Sequence, residues 1–383
     1  MIKKIITGVF LCAFLLALVL PMFFINTQAN KISATENRRL SNFPLVFDES
    51  GKLNHGLRLS FISWLNDNIG FRSEFVKIYA TIKFKFFRIS PSPLIHIGKD
   101  GWYYYTGDQN IEIARGTYYL PDEMLETIAY KQKLVNQYYT NKNIDYFLIT
   151  LPSKSSIYPE YVQESYHIRE TPVDIVEHYL KNENNFHVIN PKKYQFSHKD
   201  KGKLFLKQDF HWTSLGSYYA YAYIIETLSA AGAIPKNTTP VEIVIAERNY
   251  GTGEVAAYLG CTGLLSDETA PDVQWDKHGI ILDSGEYFDK IMDICNRDGR
   301  FHYPCILENP NAENGTLLIY GDSQFMPGRN IPQYFAEHFK TVVYAGIDPH
   351  INQELEDFVK PDIVLYETVE RYINYRLPYF EIP

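Results

Sequence analysis

Cysteine is scarce. The 383-residue chain has 4, and Cys12 falls within an apolar N-terminal run, leaving Cys261, Cys295 and Cys305. An odd number cannot pair completely, and connectivity does not follow from sequence. A Cys295–Cys305 bridge and isolated buried thiols are both compatible with this count. No C-x-x-C occurs and no histidines stand at ligand spacing, so no metal site is expected; His278 and His302 read as loop residues. No G-x-G-x-x-G occurs either. Gly251 to Gly260 (GTGEVAAYLG) is glycine-rich but departs from that pattern, so no dinucleotide or other cofactor is expected. Lysine and arginine (37) are outnumbered by aspartate and glutamate (45), for a net charge of -8, and form no concentrated stripe. The chain therefore lacks the electrostatic footprint of a nucleic-acid binder. Internal repeats and low-complexity segments are absent.

A long apolar run is present. Lys3 and Lys4 precede an uncharged stretch from Ile5 to Ile25, long enough to cross a bilayer as a helix. Signal-peptide cores are shorter and end in a small-x-small cleavage site, which Asn26 to Asn30 does not supply. Residues 1–30 therefore read as a signal anchor, and the lysines favour a cytoplasmic N-terminus with the rest outside. Residues 31–93 read as an extracytoplasmic helical neck. Leu57 to Ile69 and Phe75 to Phe87 have helical spacing of apolar residues, broken at Gly70. The run Lys83 to Arg88 (KFKFFR) is expected to pack on the body of the protein.

Residues 94–383 read as one catalytic domain. Aromatics reach 15%, with 30 tyrosines, and most are expected to serve packing. Asp100-Gly101 suggests a hairpin turn. Pro121 opens a helix to about Asn141, and Asn143 to Leu151 then reads as a buried strand. Lys154 and Tyr158, in the loop Pro152 to Glu160, are read as loop anchors with reach toward a substrate as the alternative. Residues 271–314 read as irregular. The last third alternates: strand 316–320, helix 331–338, strand 340–344, helix 351–359, strand 362–366 and a final helix. That is the pattern of a parallel sheet with helical crossovers.

Two stretches carry chemistry. Thr316 to Met326 is TLLIYGDSQFM, a buried strand broken by Gly321-Asp322-Ser323. This puts Ser323 at the carboxyl edge of the sheet, where open α/β sheets bind ligands. Gln208 to Gly216 is QDFHWTSLG. Asp209 and His211 are two apart, so an extended segment points both the same way. A carboxylate on one imidazole nitrogen leaves the other free to take a proton from a serine. Asp209, His211 and Ser323 thus read as orienter, base and nucleophile. The alternative is an ordinary turn and an Asp–His pair packed under Trp212.

With these residues in place, the chain resembles the alginate O-acetyltransferase family of SGNH-hydrolase-like proteins, in its DHHW branch. The resemblance runs through Glu36-Asn37-Arg38, DNIGFR (67–72), GKDGWYY (98–104), PSKSSIYPE (152–160), DFHWT (209–213), Gly321-Asp322-Ser323 and PDIVLYETVERY (361–372). In this family the Asp-x-His element precedes the serine, as here. The sequence departs from it at Gln324-Phe325 and at Gly253-Glu254-Val255, where the family has Gly-Asp-Leu. The resemblance implies an SGNH-hydrolase-like α/β fold, a parallel sheet flanked by helices. It implies a membrane-anchored extracytoplasmic O-acetyltransferase acting on hydroxyls of a cell-surface or secreted polysaccharide. It also implies a multi-pass membrane-bound O-acyltransferase as partner. A carbohydrate acetylesterase with the same triad, and a glycan-binding scaffold without catalysis, are the alternatives.

Overall fold

A computed structural model of the chain describes residues 2–33, 38–47, 51–162, 170–184, 186–260, 262–347 and 350–382. Glu36, Asn37 and Cys261 lie outside them. The chain groups into two compact units, Met1–Ile95 with Glu254–Ser266, and His96–Gly253 with Asp267–Pro383.

The first unit begins with α1 (Ile2–Val19), prolonged by a tighter turn over Leu20–Phe24. Ile5–Phe24 is long and apolar enough to cross a membrane, and 6% of it is buried. Two helices follow at the positions the spacing predicts, α2 (Leu57–Asn68) and α3 (Arg72–Thr81), the latter extended by a wide turn over Ile82–Phe86. Gly70 separates them because the chain passes too close for a side chain. Its N–H donates to Pro21 O at 3.1 Å, and an added Cβ would meet Phe24 Cβ at 2.6 Å. Asn26 N–H donates to Asn68 O at 2.8 Å, and Asp67 accepts from the N–H and hydroxyl of Ser41. In the aromatic-basic run, Phe86 is 78% exposed and Phe87 65%.

The second unit is built on a seven-stranded sheet. Its strands are β1 (Asp145–Leu151), β2 (Val188–Ile189), β3 (Ile280–Ile281), β4 (Phe301–Glu308), β5 (Asn314–Gly321), β6 (Phe339–Ile347) and β7 (Ile363–Val369). Their order is β2-β1-β7-β5-β6-β4-β3. The first five are parallel, while β4 runs antiparallel to β6 and β3 antiparallel to β4. The sheet is therefore mixed, not purely parallel. The two antiparallel strands come from the stretch read as irregular, which also contains a helix over Glu286–Asp298. Pro304 interrupts the strand pattern there, and the register shifts between His302 and Cys305.

Alternation decides which helices cover which face. Successive side chains of a strand point to opposite sides. Phe147, Ile149, Leu317, Ile319, Val342 and Leu365 face one core, packed with Leu215, Ile224, Ile225 and Leu228 of the helix Ser214–Ala231. Tyr146, Leu148, Leu318, Tyr320, Val343 and Val364 face the other. That second core holds residues of α4 (Asp122–Asn141), α5 (Pro172–Asn184), α7 (Glu286–Asp298) and α8 (Gln353–Val359), with Ser214–Ala231 being α6. Strands buried on both faces read as continuous apolar runs, which is why β1, β5 and β7 were visible in the sequence. Val244–Asn249 pairs with Thr269–Gln274 in a separate two-stranded ribbon. The final helix is short, Ile373–Arg376 after a tight turn. Cys295 and Cys305 are free, buried thiols, pushed up by burial to about 12 and about 11, so the bridge is not formed.

Candidate active site

The carboxyl ends of β1, β5 and β7 converge on one edge of the sheet, and β5 delivers Ser323 there. Gly321 ends the strand where space closes: an added Cβ would lie 2.9 Å from Phe325 Cβ and 3.3 Å from both Tyr344 and Glu367. Asp322 is the keystone of the turn. Its carboxylate accepts from Gln324 N–H at 2.9 Å, Val369 N–H at 3.1 Å and the Arg376 guanidinium at 3.0 Å. Its own N–H donates to Glu367, and Tyr344 donates its hydroxyl to Asp322 O. Asp322 thus serves turn geometry. Glu367 is fully buried, and burial together with the nearby Asp322 charge holds its carboxyl well above the usual range. A neutral Glu367 spares the turn a second buried negative charge.

Asp209 and His211 arrive from the other side of the sequence, just before α6. Thr213 caps that helix, accepting from Gly216 N–H at 3.1 Å while donating to Lys203 O at 2.7 Å. Gly216 packs so tightly that a Cβ would sit 2.0 Å from Leu204 O. These contacts fix the residues immediately before the helix.

The geometry joins the two stretches. His211 Nε2 is 3.1 Å from Ser323 Oγ, and His211 Nδ1 is 2.7 Å from Asp209 Oδ1. The same oxygen accepts His211 N–H at 2.9 Å, so one carboxylate holds both ring and backbone. Asp209 and His211 are each 6% exposed, and Ser323 is half-buried. Burial pushes the Asp209 carboxyl up, but the hydrogen bond and charge of His211, with Arg329, outweigh it and hold the group well below the usual range. A permanently ionised Asp209 keeps the proton on Nδ1 and the lone pair of Nε2 toward the serine. Arg329 has its guanidinium 3.9 Å from Asp209 Oδ1. Its position supports the carboxylate's charge.

The loop after β1 supplies support through Lys154 and Tyr158, the anchoring role their place in the loop predicts. Lys154 is buried, and its ammonium donates to Leu206 O (3.0 Å), Lys207 O (3.1 Å) and Asp209 O (2.8 Å). Three donors meet three carbonyls of the segment that carries Asp209. Burial lowers its pKa to about 7, opposed by the charges of Asp209 and Glu268. Glu268 works on the same segment, accepting from Lys207 N–H and Gln208 N–H, each at 3.0 Å. Gly253, with φ of +61°, completes the support, since a Cβ there would lie 2.2 Å from Gln208 O. Tyr158 accepts from Leu204 N–H at 3.0 Å, so it too anchors a loop. Glu370 accepts from Ser153 N–H at 3.0 Å and from the Ser156 hydroxyl, fixing the loop that carries Lys154. Glu268 had no signal in the sequence, because its partners are backbone groups brought close only by folding.

At one edge of the helix-flanked sheet, a serine-bearing turn thus faces an Asp–His pair. Residues 95–283 match the family described as the SGNH hydrolase-like domain of acetyltransferase AlgX, the family to which the sequence motifs pointed. That match includes Asp209 and His211 and ends before Ser323. Among solved structures, the fold matches the O-acetyltransferase domain of Pseudomonas putida AlgJ at TM-score 0.50 and 15% identity, covering 74% of this chain and 92% of that one. A DHHW family protein from Eubacterium siraeum gives 0.48 at 14% identity, covering 66% and 86%. Bacillus cereus PatB1 gives 0.47 at 15% identity, covering 74% and 98%. No curated protein matches by sequence.

Proposed function

We propose that this chain is a membrane-anchored, extracytoplasmic O-acetyltransferase that moves acetyl groups onto hydroxyls of a cell-surface or secreted polysaccharide through an acyl-serine. The observation that carries this reading is the 3.1 Å approach of Ser323 Oγ to His211 Nε2, with Asp209 on the opposite ring nitrogen. The match of residues 95–283 to an acetyltransferase family supports it.

In the first step Ser323 Oγ attacks the donor's carbonyl carbon while its proton passes to His211 Nε2. The carbonyl oxygen becomes an oxyanion, for which the backbone N–H of Ser323 is the proposed donor. The tetrahedral species collapses, the donor's leaving group departs with the proton from His211, and the acetyl group stays on Ser323. In the second step a sugar hydroxyl gives its proton to His211 and attacks the acetyl carbon. Collapse returns the proton to Ser323 and releases the acetylated sugar. Asp209 stabilises the imidazolium formed in each step. The apolar N-terminal helix would confine this chemistry near the bilayer, where a multi-pass membrane-bound O-acyltransferase would deliver acyl groups across the membrane.

The test uses the full chain in detergent micelles with an activated acetyl ester. Without acceptor it should release acetate slowly, and Ser323→Ala should reduce this to background. His211→Ala should nearly match that loss, because residues acting as one unit fail together. An acceptor glycan should gain acetyl mass at the expense of acetate. Wild-type release no greater than that of Ser323→Ala, with no glycan gaining mass, would leave a scaffold. Release with no glycan ever gaining mass would make the protein an esterase.

A further inference from the structure

The neck carries an exposed apolar stripe. Along α3 and the wide turn that prolongs it, Phe75, Ile78, Tyr79, Ile82 and Phe86 are all exposed. Positions three and four apart lie on one face of a helix, so these five side chains form one continuous strip. An apolar strip of this length on a protein surface marks a contact with something other than water. Its charge is equally one-sided. From Arg72 to Arg88 the chain carries Arg72, Lys77, Lys83, Lys85 and Arg88 against a single acid, Glu74. The Lys83 ammonium rests 5.2 Å from the centre of the Tyr79 ring.

The position of this helix is fixed from below. Gly70 and Asn68, at the junction of α2 and α3, are hydrogen-bonded to Pro21 and Asn26 at the end of the apolar span. The Phe24 and Phe71 rings are 4.9 Å apart, centre to centre. Whatever level the span's end occupies, α3 starts at that level. An amphipathic helix with basic flanks at the height of lipid headgroups has the composition of an interfacial segment. Basic side chains there are attracted by anionic lipid phosphates.

We propose that α3 and its extension lie in the surface of an anionic bilayer, with Phe75, Ile78, Tyr79, Ile82 and Phe86 among the acyl chains and the lysines at the phosphates. This rests on the reading of α1 as a membrane anchor. The neck then acts as a second, lateral attachment that sets the height and tilt of its own unit on the membrane.

The test places nitroxide labels on single cysteines, Leu15→Cys, Ile82→Cys, Phe86→Cys and the exposed Lys201→Cys, in the full chain with Cys12 and Cys261 replaced by alanine. The chain is reconstituted in vesicles of phosphatidylglycerol and phosphatidylcholine. Collision with oxygen is compared with collision with a water-soluble nickel chelate. The oxygen-to-nickel ratio at 82 and 86 should approach that at 15 and exceed that at 201 severalfold. Lys83→Gln with Lys85→Gln should lower it. Labels at 82 and 86 behaving like 201 while 15 stays in lipid would sink the interfacial neck and leave the anchor standing. A label at 15 in water would remove the anchor, and the neck with it. Shielding of 82 and 86 from both reagents would mean that a second copy of the chain covers the stripe, which also overturns the proposal.

Discussion

At the scale of single residues, the site depends on charges that burial makes expensive and neighbours make tolerable. Lys154 is the clearest case. Its three protons meet three carbonyls of the Asp209-bearing segment, so Lys154→Met strands acceptors in a buried place. An unsatisfied buried group costs about 1–3 kcal/mol. Lys154→Met is expected to lower the unfolding midpoint and to cut kcat by roughly tenfold or more, leaving KM little changed. The pH dependence has a definite sign. The folded-state pKa of Lys154, about 7, lies below the unfolded value of roughly 10.4. Between them the unfolded chain binds more protons, so this group makes stability rise with pH across that window. Denaturant unfolding at about pH 7 and about pH 9 should show that rise weakened in Lys154→Met. An unchanged slope would mean that Lys154 does not titrate there.

At the scale of elements, two close approaches hold the catalytic segment against its supports. Gly216 lets the start of α6 lie on Leu204, and Gly253 lets its own turn lie on Gln208. Gly253→Ala adds a Cβ 2.2 Å from Gln208 O, at a backbone angle that side chains rarely adopt. The segment 208–211 must move to accept it. The expected outcome is loss of most acetyl release with far-ultraviolet circular dichroism unchanged, because α6 and the sheet do not depend on that turn. Full activity in Gly253→Ala would show that the segment tolerates displacement. The family pattern Gly-Asp-Leu and the local Gly253-Glu254-Val255 share this glycine.

At the scale of the molecule, an apolar N-terminal helix precedes a globular α/β unit with its own two-sided core. The helix is of spanning length and almost wholly unburied, unlike a core helix of similar hydropathy. The full chain is expected in the membrane fraction, resistant to carbonate extraction, with the C-terminal unit accessible to protease added from outside the cell. Recovery of a soluble form beginning near residue 30 would show cleavage instead.

Sequence alone determined those features whose physical cause is local. Buried strands such as β1, β5 and β7 show as apolar runs because both faces are covered. Asp209 and His211 declare themselves because two residues of extended chain suffice to align them. The expectation that Ser323 lies beside His211 came from motif order, and their 3.1 Å approach comes from folding, since 112 positions separate them. Only tertiary structure decided the rest. The antiparallel strand β4 was hidden because Pro304 breaks the local pattern, while pairing with β6 restores the strand; β3 is two residues long and is a strand only through its pairing with β4. Lys154 and Glu268 act on backbone carbonyls and N–H groups, which carry no residue-type signal. Phe86 and Phe87 have the composition of packing residues, and their exposure depends on where the chain around them goes. A buried hydrogen bond or an uncovered face is a property of neighbours, and neighbours distant in sequence are chosen by the fold.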